Sequence, residues 1–111
     1  MAKSAQSFVP GLSDAVGTAT AASNAATLNS QTGIITSEAL TTAAGATYTC
    51  TLTNSFIGTG SNVLVIVGNP GTGTAQLVSV TPAAGSVAII VANKHASAAF
   101  NSAITLQFLV I

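Results

Sequence analysis

Few side chains in this sequence could carry chemistry: one histidine, His95, one cysteine, Cys50, the carboxylates Asp14 and Glu38, and the amines Lys3 and Lys94. A nucleophilic triad would need His95 as base, Asp14 or Glu38 as orienter, and a serine or Cys50 as nucleophile. His95 lies in the stretch Ala92-Asn93-Lys94-His95-Ala96-Ser97, with no carboxylate near it in sequence. Cys50 alternates with Tyr48 and Leu52, a pattern that buries it on an apolar strand face as a small side chain. Two-carboxylate chemistry would require Asp14 and Glu38, which belong to different segments of the chain. The sequence is therefore expected to be no enzyme, with no catalytic residues.

A metal site would draw on the same scattered donors. Three copies of His95 around a threefold axis would make a ligand set, but a solvated turn histidine is the simpler expectation, so neither metal nor cofactor is assigned. The glycine cluster "GNPGTGTA", Gly68 to Ala75, resembles a phosphate loop only superficially. It lacks the Gly-Lys-Ser/Thr ending, and a strand pattern follows it where a phosphate loop needs a helix, so it is expected to be a hairpin connection. Two lysines and no arginine leave nucleic acid without the phosphate contacts that binding requires. The segment "TATAASNAAT" has the composition of an ice-binding surface but no fixed repeat.

The scarcity of charge is itself informative. Charged residues make up 4% of the 111 positions, where soluble proteins carry about 25%. Copies of such a chain repel each other weakly, and its polarity comes from Ser, Thr, Asn and Gln, which can be buried in an interface without the desolvation cost of an ion. An assembly is expected. Pro10 and Gly11 interrupt the start before an apolar leader could form, and the apolar run Val63 to Val67 is far shorter than the ~20 residues that span a bilayer. Cys50 has no intrachain partner. The expectation is a chain made in the cytoplasm and not inserted in a membrane.

The elements that would position these residues are strands. Residues 1 to 32 hold few large apolar side chains, among them Phe8, Val9, Leu12, Val16 and Leu28, and read as an extended N-terminal arm. From residue 33 to 111 the period is two, which predicts one antiparallel β domain, a sandwich or small barrel of about six strands. The first is expected near Gly33 to Ala39. In Ala46 to Phe56, Tyr48, Cys50 and Leu52 share an inner face and Thr47, Thr49, Thr51 and Thr53 an outer one. Val63 to Val67, nearly all β-branched, fits a central strand covered on both faces. Thr74 to Thr81 and Ser86 to Asn93 are expected to form a hairpin through Pro82-Ala83-Ala84-Gly85. In the last strand Ile104, Leu106, Phe108 and Val110 face inward and Thr105 and Gln107 outward, leaving an unpaired edge for a neighbour to cap.

The phrases "LTTAAGATYTCTLTNS", "VSVTPAAGS" and "VANKHASAAFNSAITLQFLVI", within about residues 40 to 111, resemble the β domains of small virion proteins of tailed bacteriophages, most of all capsid decoration or cement proteins. The resemblance implies a structural protein on the outer capsid surface, self-associating as a homo-oligomer expected to be a trimer, and bridging major capsid proteins. Its arm would bind through Phe8, Val9 and Leu12, and no catalytic residues come with the family. The weak charge departs from many such proteins. A tail or fibre module for assembly or receptor binding is the alternative, although sugar binding would call for exposed aromatics and the chain has no tryptophan.

Overall fold

A computed structural model of the chain describes residues 16–111, leaving aside the side chain of Val16. The expected arm anchors Phe8, Val9 and Leu12 lie outside the described residues, as do Lys3 and Asp14. The described residues form eight strands and no helix: β1 Val16–Thr20, β2 Ala25–Thr27, β3 Thr32–Thr36, β4 Thr47–Thr53, β5 Val63–Gly68, β6 Ala75–Ala83, β7 Ser86–Asn93 and β8 Thr105–Val110. They make two open four-stranded sheets, with orders β1-β3-β8-β5 and β2-β4-β7-β6. The expectation of an all-β sandwich holds at this level. The barrel alternative does not, and eight strands replace about six.

The sheets are also mixed. Strands β1 to β4 alternate between the two sheets, so β1 and β3 become parallel neighbours in one sheet and β2 and β4 in the other. The connecting segment runs through the opposite sheet, which is how a parallel pair obtains its crossover without a helix. The remaining pairings, β3 with β8, β4 with β7, β5 with β8 and β6 with β7, are antiparallel. Residues 16 to 27 of the segment read as an arm thus supply two edge strands. They escape periodicity because Gly, Ala and Thr give almost no contrast between faces.

The inward faces follow the alternation. Tyr48, Cys50 and Leu52 on β4 meet Val87, Ile89 and Val91 on β7, while Ile35, Leu106, Phe108 and Val110 close the core from the other sheet. Burying large apolar side chains at about 25 cal/mol per Å² is what holds two such charge-poor layers together. Residues of the connections complete the core, Phe100 and Ile104 being fully enclosed and Leu40 and Ile57 nearly so.

Two strands depart from expectation. Strand β5 is an edge rather than a central strand, and Leu64 and Ile66 are 55% and 69% exposed on its outer face. A run of β-branched residues has the same composition whether it is covered on two faces or presents one of them to solvent. The last strand, β8, lies between β3 and β5, so the bare edge expected at the chain end is paired on both sides. The predicted hairpin joins β6 to β7, but β6 runs through Pro82 as far as Ala83, leaving Ala84 and Gly85 as the turn. An edge strand tolerates this proline, and Gly85 supplies the φ of +77° that the turn requires.

Candidate functional site

At one end of the sandwich three connections meet around Asn93, the last residue of β7. Its side chain is fully buried and uses all its capacity: Oδ1 accepts the amides of Thr74 and His95, each at 3.1 Å, and Nδ2 donates to the carbonyls of Thr42 at 3.0 Å and Ala98 at 2.9 Å. A buried amide with every bond satisfied substitutes for regular pairing where the ladder ends. His95 repeats the device at the surface. Its Nδ1 accepts the amides of Ser97 and Ala98, at 3.0 and 2.8 Å. Two amides converge on the Nδ1 lone pair, which is thereby engaged in the turn and not free for a metal.

The glycine cluster closes the same end. It joins β5 to β6, which lie in different sheets, so it is a corner between layers and not the expected hairpin. The amide of Gly71 donates to Asn69 Oδ1, that of Thr72 to Asn101 Oδ1 and that of Thr74 to Asn93 Oδ1. Amides that would cradle a phosphate are engaged by asparagine side chains.

A second polar feature was not legible in the sequence. Glu38, in the connection after β3, accepts the Tyr48 hydroxyl on Oε1 and the Asn24 amide on Oε2, both at 2.8 Å. They border an open groove of about 480 Å³ that is also lined by Leu40, Thr41, Thr42 and Thr47. Partial desolvation pushes the Glu38 carboxyl up, but the bonds from Tyr48, its own backbone and Asn24 outweigh it and hold the group below its ordinary value. Burial first, and the Glu38 bond second, push the Tyr48 phenol far up, so it stays a proton donor. Cys50, beneath Tyr48, is fully buried, and burial raises its thiol against the lowering effect of Tyr48. The thiol is a core group, as the alternation predicts.

Among the described residues the groups bonded to His95 Nδ1 are backbone amides, Glu38 is the one acidic side chain, and no three of His, Cys, Asp and Glu come together as a metal could use them. The described surface is instead dominated by two sheet faces. On one, Thr47, Thr49, Thr51 and Thr53 run beside Ile90, Ala88 and Ser86 of β7, followed by Ser79, Thr81 and Ala83 of β6. On the other, Leu64 and Ile66 of β5 stand beside Leu109 and Gln107 of β8 over a shallow depression of about 220 Å³. Neither face carries a charge. Glu38 and Lys94, the charged side chains among the described residues, both sit in connections. No family model, no curated protein and no solved structure matches this chain.

Proposed function

We propose that this chain is a structural virion protein, a decoration or cement component that binds the outer surface of a phage head, self-associates and bridges major capsid proteins. The reading rests on the phrase resemblance within residues 40 to 111. The observation that carries it is the absence of charge from both exposed sheet faces. A face of threonines, alanines and aliphatic groups can be covered by protein without stripping water from an ion, and weak contacts repeated over a symmetric lattice add up through avidity. Function is then mechanical: rigid sandwiches fill the gaps between capsid subunits, and the segment with Phe8, Val9 and Leu12 ties them down.

Co-sedimentation with empty heads tests this. The full chain should pellet with expanded heads and raise their resistance to heat or chelator. A chain lacking residues 1 to 15 should lose most of that binding while its β sandwich unfolds at the same temperature. A full-length protein that stays in the supernatant at every ratio of protein to heads rules out the cement role.

A further inference from the structure

We infer that strand β5 is a self-pairing edge: two copies of this chain join antiparallel along β5, with Val65 facing Val65 across a twofold axis. The described sheets leave four edges open, β1 and β5 in one and β2 and β6 in the other. Strand β2 has three residues, and β1 has five, among them Gly17. Strand β6 is guarded twice, by a bulge at Val78 that breaks its register and by Pro82, which has no N–H to offer. Strand β5, Val63–Gly68, has neither bulge nor proline nor charge along VLVIVG, although these are the devices by which edges avoid pairing. Its outer side chains, Leu64 and Ile66, are among the most exposed large apolar groups described.

Register and charge both select a second copy as the partner. Pairing Val65 with Val65 of the second copy sets Leu64 opposite Ile66 of that copy and Ile66 opposite its Leu64, so outer side chains meet outer ones. A slip of one residue would set the exposed set of one copy against the core-facing Val63, Val65 and Val67 of the other. Identical copies related by a twofold axis bring like groups together, which is free of repulsion only for a neutral patch, and β5 and β8 are neutral throughout. One six-residue edge is a small contact beside the roughly 1,200–2,000 Å² that stable interfaces bury, so the pair should dissociate on dilution when no larger assembly holds it. The inference does not depend on the capsid reading, and its twofold symmetry differs from the trimer that the resemblance implies.

Sedimentation velocity of the full chain over a dilution series, with and without Ile66→Lys, tests the edge. The wild type should show twice the mass of I66K at high concentration, with equal thermal unfolding at dilutions where both are monomers, because Ile66 is 69% exposed. Equal masses for the two proteins overturn the inference. Register is tested by oxidising L64C and I66C proteins separately and mixed. Directly opposite positions lie about 4.5–5.5 Å apart at Cβ and diagonal ones about 7–8 Å, so the mixture should cross-link much faster than either protein alone. Cross-linking that is equal in all three samples, or absent from the mixture, refutes the Val65-centred pairing. No heads are present, so failure counts against the edge alone, while dimers that ignore empty heads count against the cement role alone.

Discussion

Asn93 Oδ1 accepts the amide of His95, and His95 Nδ1 in turn accepts the amides of Ser97 and Ala98, so two polar residues in series shape the exit from β7. The first is buried and the second exposed, and that difference sets their worth. Removing a buried partner strands the groups it satisfied, whereas water can replace a lost bond at the surface.

Asn93→Ala should therefore cost about 2–4 kcal/mol in urea unfolding, because it takes the acceptor from the amides of Thr74 and His95 and the donor from the Ala98 carbonyl, while the Thr42 carbonyl keeps the Phe100 amide. His95→Ala should cost about 1 kcal/mol or less, and Lys94→Ser almost nothing. Equal losses for Asn93→Ala and His95→Ala would show that the corner is organised from the surface and not from the buried amide.

Much of the fold is legible where side chains contrast. The alternation of Thr with Tyr48, Cys50 and Leu52, and of Thr105 and Gln107 with Leu106 and Phe108, assigns the inner and outer faces of β4 and β8 correctly. It fails at β1 and β2, whose Gly, Ala and Thr side chains are too alike to reveal a period. It also fails for β5, since edge or centre is settled by which strands pair and not by its own residues. Of the polar sites, the turn at His95 is legible. The bond between Glu38 and Tyr48 is not, because it needs the connection after β3 to cross from one sheet to the other.

The Glu38 carboxylate makes stability depend on acid. Its folded value lies below its ordinary 4.5, so the stability it contributes is complete above that pH and is lost as the pH falls through the lower, folded value. Tyr48→Phe removes the strongest of the bonds that lower it, and Glu38→Gln removes the titration itself. Urea midpoints measured from neutral pH down to below the carboxyl range should fall less steeply for Glu38→Gln than for the wild type, with Tyr48→Phe in between. Parallel curves for all three proteins would mean that the carboxylate is not held by the phenol in solution.

Gly17 and Gly33 face each other in the parallel pair β1–β3, yet they should not respond alike to a methyl group. A Cβ on Gly17 would press on a terminal methyl of Leu28 at 2.8 Å, and that side chain can turn away. A Cβ on Gly33 would meet Leu28 as well, but also the Gly17 carbonyl oxygen at 2.9 Å and the Phe108 ring at 3.2 Å, a backbone atom and a core aromatic that have nowhere to go. Overpacking of this kind costs about 1–3 kcal/mol, so Gly33→Ala should lower the unfolding midpoint clearly and Gly17→Ala only slightly. Because β1 reaches the sheet only through β3, Gly33→Ala should also speed amide exchange along β1 before it affects β8. Uniform loss of protection across the sheet would show that β1 is no separate edge but part of one cooperative unit with the core.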